Sequence, residues 1–373
     1  MTDPVEVEAA TLRALLVERM RAAGHAKKPD VAKAFLSEPR HVYAPRFMCS
    51  RQKEDGAWIN EEVTREHPNW LTEVYTDQVL LTSVWPDPLS SSTVPSLMAD
   101  MLEALDVSPG MTVIEVGTGT GYNAGLLGQL VGDDNVVTLD VAPELVGAAR
   151  ASLDTAGHAA VTVVQANGGS RDVLRHGSVD RLIATCGVDR IPDPWRQVVR
   201  PGGRIVAPVG AGIAVLDVAD DHSAEGRFLP TGAYFMQLRA PRSDDMPTRP
   251  TNPGGPAEPC GMPLAAWDDI GFSFLVSLSL PFNDVLTDTT SDGGLIIWHR
   301  DGSIAHIFED GTARQAGPRR LAGLLAGLWQ SYRERGQPTR EAYRITIGAD
   351  GEHAIVAEGD GGTWLVSPAV TTP

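Results

Sequence analysis

Three glycines at alternate positions form the feature of this sequence that is best suited to hold a ligand. They are Gly117, Gly119 and Gly121, within VIEVGTGTGYNAGLL (113–127), between a β-branched run and a helix-like run. The dinucleotide fingerprint needs another glycine where Tyr122 stands, and the phosphate-binding loop needs a Gly-Lys-Ser/Thr sequence that does not follow. The spacing therefore predicts a tight turn that lets a ligand other than a dinucleotide or a polyphosphate approach the main chain closely.

Polar residues follow the strands around this turn. Glu115 lies on the strand before the loop, and Asp140, followed by Val141, ends the next strand, where a carboxylate can accept both ribose hydroxyls of a nucleoside. Asn167 and Gly168 follow the third strand, where an amide side chain can meet an adenine edge. An acidic group near the loop, without a lysine, suits a cationic ligand. We therefore expect S-adenosylmethionine, which combines a sulfonium, an ammonium, a ribose and an adenine.

The runs around the loop predict an α/β fold. MTVIEV, NVVTLDV, VTVVQA, VDRLIATC and RIVAPVG alternate with helix-like segments, which is typical of a parallel sheet with helices on both faces. Ligands bind such sheets beyond the carboxyl ends of the strands. After a Pro/Gly-rich stretch, hairpins with Asp-Gly turns and an amphipathic helix predict a small α+β unit. We expect a catalytic domain at 1–240, a linker at 241–263 and a C-terminal domain at 264–373.

Several segments together resemble protein-L-isoaspartate O-methyltransferases over residues 31–240. They are AFLSEPRHVYAP (34–45), VYTDQVL (74–80), SSTVPSLMADML (91–102), the glycine loop with its Tyr122, and VRPGGRIVAPVG (199–210). The resemblance implies a Rossmann-like, S-adenosylmethionine-dependent methyltransferase domain without a metal. It also implies a carboxylate as the methyl acceptor.

The resemblance places a hydroxyl in the acceptor site. The family's serine falls on Thr93, which we expect to orient the acceptor carboxylate. The alternative is that Thr93 caps the helix starting at Pro95, and both roles can coexist. A carboxylate has a reference pKa of about 4 and is already ionised at neutral pH, so the reaction requires no general base. Catalysis then depends on alignment and on exclusion of water.

The complete set of expected site residues follows from the loop, the strand ends and the resemblance. The expected cofactor-binding residues are Ser92, Thr93, Glu115, Gly117, Thr118, Gly119, Gly121, Tyr122, Asp140, Val141, Asn167 and Gly168. The expected substrate-binding residues are Tyr75, Asp77, Thr93 and Val94. We expect Glu115 to support the loop through its amides and to meet the ligand's ammonium group. For Tyr75 and Asp77, a local hydrogen bond is the alternative to lining the acceptor pocket.

Two additions suggest a specialised branch of this family. A polar, irregular insert at about 47–72 and the segment after residue 240 resemble the branch that matures ribosomal peptides such as graspetides and lanthipeptides. Members of that branch methylate an aspartate in a ring-closed precursor peptide, and the ester closes to an aspartimide. The C-terminal domain would then recognise the peptide. The alternatives are repair of isoaspartyl proteins and a noncatalytic adapter that binds a peptide by strand addition.

Composition excludes several other classes. The net charge of −17 disfavours nucleic-acid binding, and TCGVDR stands where a nucleic-acid amine methyltransferase would carry its Asn/Asp-Pro-Pro-aromatic motif. The nine histidines form no metal-binding or catalytic-triad spacing, and Cys49, Cys186 and Cys260 form no CxxC pair. No apolar run approaches the roughly 18 residues of a membrane span. The acidic N-terminus does not resemble a signal peptide, so we expect a cytoplasmic protein.

Overall fold

The computed structural model describes residues 3–52, 58–83, 89–171, 177–238, 250, 253–280, 285–290, 293–359 and 362–366. Its contacts group the chain into two compact units. Unit 1 comprises Met1–Thr185 and Pro194–Val206, and unit 2 comprises Cys186–Asp193 and Ala207–Pro373. Much of the expected linker lies outside the described residues, and the domain limits of 1–240 and 264–373 remain a prediction.

Unit 1 carries the glycine loop. Its helices are α1 Pro4–Ala22, α2 Pro29–Ser37, α3 Arg40–Tyr43, α4 Trp70–Val74, α5 Pro95–Leu105, α6 Tyr122–Val131, α7 Pro143–Ala156 and α8 Asp193–Val198, whose first residue belongs to unit 2. Its strands are β1 Arg46–Gln52, β2 Trp58–Thr64, β3 Leu80–Ser83, β4 Ser90–Ser92, β5 Val113–Val116, β6 Val136–Asp140, β7 Thr162–Gln165, β8 Val179–Ala184 and β9 Val199–Val209, whose last residues belong to unit 2.

Strands β5 to β9 form the predicted parallel sheet. They pair in parallel in the order β9-β8-β5-β6-β7. Every residue of β5 is buried, which shows that both faces of the sheet are covered at its centre. The chain passes from β5 to β6 and β7 and then returns to place β8 on the other side of β5. The switch point of the sheet therefore lies between β5 and β8, where the glycine loop leaves β5.

The polar insert is more regular than we expected. It forms the hairpin of β1 and β2, within an antiparallel sheet of order β2-β1-β3-β4. Phe47 and Val63 lie opposite each other in this hairpin and are both buried. Because alternate residues of a strand face opposite sides, an otherwise polar pair of strands can bury these two apolar side chains on one face. The expectation of an irregular segment is therefore wrong for these residues.

Unit 2 is rich in β-structure, as predicted for the C-terminal part. Its strands are β10 Gly212–Val218, β11 Ala224–Gly232, β12 Glu258–Pro259, β13 Val285–Thr289, β14 Leu295–His299, β15 Ile304–Ile307, β16 Thr312–Ala316, β17 Tyr343–Ile347, β18 His353–Gly359 and β19 Gly362–Val366, and its helices are α9 Ile270–Ser279 and α10 Leu321–Glu334. Strand β11 pairs with β17, so residues inside the expected first domain join the C-terminal strands. Among the described helices, none has the length and hydropathy of a membrane span.

A buried carboxylate joins the N-terminal helices to the sheet layer of unit 1. Glu38 follows α2 and is fully buried. Its Oε1 accepts a 2.6 Å hydrogen bond from the Tyr43 hydroxyl, and its Oε2 lies 2.8 Å from Nε2 of His158. Nδ1 of His158 lies 2.7 Å from Oδ1 of Asp133. The hydrogen bond to Glu38, opposed by partial burial and reinforced by Asp133, raises the pKa of His158 to about 9.

Two glycines on α6 provide the space for this network. A Cβ atom at Gly125 would lie 2.5 Å from the Tyr43 hydroxyl oxygen and 2.7 Å from Oε1 of Glu38. A Cβ atom at Gly128 would collide with the carboxylate of Asp133. Glycine inside a helix costs about 0.5–1 kcal/mol relative to alanine. The close approach of the Glu38, Tyr43 and Asp133 side chains to α6, rather than helix propensity, therefore explains why glycine stands at both positions.

The His158 network predicts a pH-dependent stability. Because the folded-state pKa lies above the unfolded value, the stabilisation is fully present below about pH 6.5 and is lost as pH rises through about 9. We expect the free energy of unfolding to fall by roughly 1–2 kcal/mol between pH 7 and pH 9.5, after allowance for solvent screening. Urea denaturation across this range measures the change. The His158→Gln variant serves as control and should lose this slope; an equal slope in both proteins would contradict the assignment.

Candidate active site

The first turn of the glycine loop is fixed by main-chain hydrogen bonds. The amides of Gly117 and Thr118 both donate to the carbonyl oxygen of Leu139, at 2.8 and 3.1 Å, and the amide of Gly121 donates to the carbonyl of Thr118 at 2.9 Å. The φ angles of Gly117, Gly119 and Gly121 are +102°, +52° and +88°. These left-handed conformations favour glycine, so the GxGxG spacing reflects the backbone path of the loop.

Glu115 supports this loop from below. Its side chain is fully buried; Oε1 accepts from Nδ2 of Asn123 at 2.8 Å and Oε2 accepts from the Thr138 hydroxyl at 2.6 Å. The Thr138 hydroxyl also lies 2.7 Å from that of Thr118 in the loop. Burial raises the pKa of Glu115 to about 7, against these hydrogen bonds and with a smaller contribution from Asp140. We expected contacts with the loop amides, but the observed support runs through side-chain hydroxyls.

The side chain of Asp140 accepts a hydrogen bond from a main-chain amide of the glycine loop. Its Oδ2 accepts from the amide of Gly119 at 3.0 Å, and its Oδ1 accepts from the amide of Ala142 at 3.1 Å. The side chain and the following Val141 are partly exposed at the end of β6. A carboxylate oxygen accepts more than one hydrogen bond, so the same group can hold the loop and accept from ribose hydroxyls.

The turn after β7 lies close to the end of β5. Oδ1 of Asn167 accepts from the amide of Gly169 at 2.9 Å, and the carbonyl of Gly168 accepts from Nε1 of Trp195 at 2.7 Å. A Cβ atom at Gly168 would collide with the side chain of Val116. The glycine is therefore required by the close approach of this turn to the sheet. Asn167 stays partly exposed beside it.

Thr93 lies between β4 and α5 and is partly exposed. The alternative that it caps α5 is wrong, because the N-cap is Val94 and no side chain at that position caps the helix. Instead, Oδ1 of Asp77 accepts a 2.8 Å hydrogen bond from the amide of Ser96 in the first turn. Asp77 therefore binds the first turn of a helix that begins well after it along the chain, rather than a neighbour in its own loop. Within the described residues, the Thr93 hydroxyl has no hydrogen-bond partner, which leaves it available to a substrate.

Strand β4 brings the Thr93 segment beside the glycine loop. A Cβ atom built on Gly119 would lie 3.5 Å from Oγ of Ser90 and 3.6 Å from the carbonyl oxygen of Ser91. Both are ordinary van der Waals distances. The structure therefore brings together two segments that the sequence separates, the predicted acceptor segment and the predicted donor loop. Ser92 is buried and its hydroxyl accepts a hydrogen bond from Arg40, and its expected contact with the cofactor remains a prediction.

Arg40 organises the predicted acceptor side of the site. The guanidinium is fully buried and donates to the Ser92 hydroxyl at 3.3 Å. It also donates to five main-chain carbonyls, at 2.9–3.4 Å, those of Val74, Thr76, Gln78, Ser92 and Thr93. Burial lowers its pKa to about 10. We did not predict this role, although Arg40 lies in the Pro-Arg-His segment of the resemblance.

Two tyrosines expected at the site face the interior. The Tyr75 hydroxyl lies 2.8 Å from Nδ1 of His41 and 3.4 Å from Nη1 of Arg13, so its partners are residues distant along the chain rather than the local ones that we considered as the alternative. The Tyr122 ring packs at 5.6 Å from the Tyr43 ring and at 6.2 Å from the Phe35 ring. Both tyrosines are at most 5% exposed. Their predicted contacts with ligands remain predictions.

The geometry fits a nucleoside-bearing methyl donor. The loop provides a glycine-lined surface at the switch point of the sheet. A side chain at Gly119 would fill the space beside β4, and one at Gly168 would collide with Val116. Asp140 and Asn167 stand partly exposed at the ends of adjacent strands. Among the described residues, no group of three or more His, Cys, Asp or Glu side chains could hold a metal ion. The fold and site define a Rossmann-like methyltransferase.

Comparison with known proteins identifies the family. The family model "Protein-L-isoaspartate(D-aspartate) O-methyltransferase (PCMT)" matches residues 11–229. The protein-L-isoaspartate O-methyltransferase of Pyrococcus horikoshii is 33% identical over 196 residues, covering 52% of this chain and 76% of that protein. Its counterpart in Thermococcus onnurineus is 31% identical over 196 residues, with the same coverage. The chain belongs to the protein-L-isoaspartate O-methyltransferase family, whose members are S-adenosylmethionine-dependent carboxyl methyltransferases.

Solved structures support the fold. A structure titled protein-L-isoaspartate O-methyltransferase superposes with a TM-score of 0.55 at 22% identity and covers 92% of this chain and 98% of its own. At this level of identity the match concerns the fold alone. It confirms the predicted methyltransferase architecture.

The carbonyl cluster around Arg40 predicts a large loss of stability on substitution. In Arg40→Lys a compact ammonium replaces the planar fork of donors and leaves several buried carbonyls without partners. We expect the free energy of unfolding to fall by about 2–4 kcal/mol, measured by urea denaturation. Arg19→Lys is the matched control, because Arg19 is exposed on α1, and it should change stability by less than about 0.5 kcal/mol. Similar effects of both substitutions would contradict this role.

Proposed function

We propose that this protein methylates the free carboxylate of L-isoaspartyl residues in peptides or proteins. The observation that carries the proposal is the Thr93 hydroxyl, which is partly exposed, has no partner among the described residues, and lies on the segment that runs beside Gly119. The family model and the printed names of the relatives support the same acceptor.

The acceptor carboxylate needs positioning rather than activation. It is ionised at neutral pH, so the Thr93 hydroxyl can donate a charge-assisted hydrogen bond to one oxygen and leave the other for reaction. Arg40 holds the Thr93 carbonyl at 3.2 Å and thereby limits the movement of this segment.

The methyl donor supplies an electrophilic methyl group on a sulfonium. A carboxylate oxygen forms the bond to the methyl carbon as the carbon–sulfur bond breaks, and the electron pair of that bond stays on sulfur. Proton transfer is not needed in this step. The resulting methyl ester stands one five-membered ring from the next main-chain nitrogen, so closure to a succinimide is favoured by proximity.

Methylation of an aspartate in a ring-closed precursor peptide, with closure to an aspartimide, is the second candidate. It is supported by an open groove of about 510 Å³ in unit 2, which lies beyond the residues that the family model matches. The groove is lined by Gly261, Pro263, Trp329, Gln330, Arg333 and Glu334. An aromatic ring beside a cation and an acid suits a peptide, and this groove is where we propose that unit 2 contacts one.

A pair of peptides tests the proposed function. The full chain is incubated with S-adenosylmethionine and a peptide containing L-isoaspartate, and with the same sequence containing L-aspartate. We expect methyl ester formation on the first and none on the second, measured by mass spectrometry. Failure on the isoaspartyl peptide, together with methylation and net loss of one water from a ring-closed peptide that the linear form does not show, would establish the second candidate instead.

Two substitutions of Thr93 distinguish the contribution of its hydroxyl group from that of its methyl group. Thr93→Val keeps the shape and removes the donor, and we expect kcat/KM for the isoaspartyl peptide to fall about 10–100-fold, the effect of one hydrogen bond to a charged group. Thr93→Ser keeps the hydroxyl and should stay within about fivefold of the parent. Urea denaturation of each variant serves as the control for folding. Equal rates for Thr93→Val and the parent enzyme would remove Thr93 from the site.

A further inference from the structure

Thr185 joins the glycine loop to the neighbouring strand. It is the first residue after β8 and is partly exposed at the switch point of the sheet. Its amide donates to the carbonyl of Val116 at 2.9 Å and so extends the parallel pairing by one residue. Its hydroxyl donates to the carbonyl of Gly117 at 2.5 Å, with a longer contact of 3.4 Å to that of Val116.

This contact determines the orientation of one peptide group in the loop. Gly117 has a φ angle of +102° and no side chain, so its own geometry restricts the following peptide plane very little. On one side its amide is held by Leu139 of β6. On the other side its carbonyl is held by Thr185 after β8. The first residue of the loop is therefore fixed between the two strands that flank β5.

The Gly117 carbonyl is the best-placed acceptor for a cation in this part of the site. Glu115 is completely buried under the loop, and Asp140, which binds the amides of Gly119 and Ala142, stands at the end of β6 where we place the ribose hydroxyls. Gly117 is partly exposed. A carbonyl oxygen has two acceptor lone pairs, and the hydrogen bond from Thr185 uses one of them.

We infer that Thr185 is a positioning residue of the methyl-donor site. It orients the Gly117 carbonyl so that the second lone pair accepts a hydrogen bond from the ammonium group of S-adenosylmethionine. This inference rests on the methyl donor of the family and is independent of the acceptor, so failure to methylate an isoaspartyl peptide would leave it intact. It also replaces the expectation that Glu115 meets the ammonium group.

Two ligands that differ in the ammonium-bearing part test the inference. S-adenosylhomocysteine carries the amino-acid portion, whereas 5′-methylthioadenosine has the same nucleoside and thioether without it. We expect Thr185→Val, which has the same shape but no hydroxyl, to weaken S-adenosylhomocysteine binding about tenfold in calorimetry, the effect expected for one hydrogen bond. Binding of 5′-methylthioadenosine should change by less than about twofold. Thr185→Ser should restore the parent affinity for both ligands.

Steady-state kinetics provide an independent measurement. With the methylated peptide established, Thr185→Val should raise KM for S-adenosylmethionine about tenfold and leave kcat within about twofold, whereas Thr185→Ser should match the parent enzyme. The inference is overturned if Thr185→Val weakens both ligands equally, if it weakens neither, or if the serine variant behaves like the valine variant. If the parent protein bound neither ligand, the assignment of the methyl donor would fail together with the inference.

Discussion

The predicted acceptor side of the site depends on one buried guanidinium. Arg40 is completely buried, and five main-chain carbonyls from two separate segments surround it. A buried cation is costly unless its donors are satisfied, and here carbonyl dipoles and the Tyr122 ring at 5.9 Å compensate the charge. Because the carbonyls of Thr76 and Thr93 bind the same group, the segment containing Asp77 and the segment containing Thr93 have a common anchor.

The donor side is built on a different principle. Its loop is held by the ends of strands: Leu139 and Asp140 of β6 hold Gly117 and Gly119, and Thr185 after β8 holds the Gly117 carbonyl. The positive φ angles of its three glycines make the turn tight. Below the loop, the buried carboxyl group of Glu115 accepts a hydrogen bond from Asn123 on α6, the helix that follows. The two sides meet where β4 passes Gly119. The relative position of the predicted acceptor segment and the glycine loop therefore depends on both the sheet and the arginine cluster.

Much of the donor side could be predicted from the sequence, because it depends on local order along the chain. In a parallel sheet each strand end lies at the same edge, so Asp140 and Asn167 could be placed there from strand periodicity alone. The acceptor side could not be predicted to the same extent. The cap of α5 comes from Asp77, which is distant along the chain, and not from the adjacent Thr93. Tyr75 and Tyr122 point inward because Arg13, His41 and Phe35 offer partners that the linear pattern does not reveal.

The sequence by itself determined the alternation of strands and helices, the backbone path of the glycine loop, and the family, since each follows from residue types at short spacing. Only the tertiary structure decided which polar groups form hydrogen bonds with one another. In the folded protein the polar insert forms a hairpin in which Phe47 and Val63 are buried. Glu115 lies beneath the glycine loop, and Arg40 lies at the centre of the predicted acceptor side. The physical reason is that burial and hydrogen bonding are satisfied between segments far apart in the chain, and only the folded packing specifies those pairs.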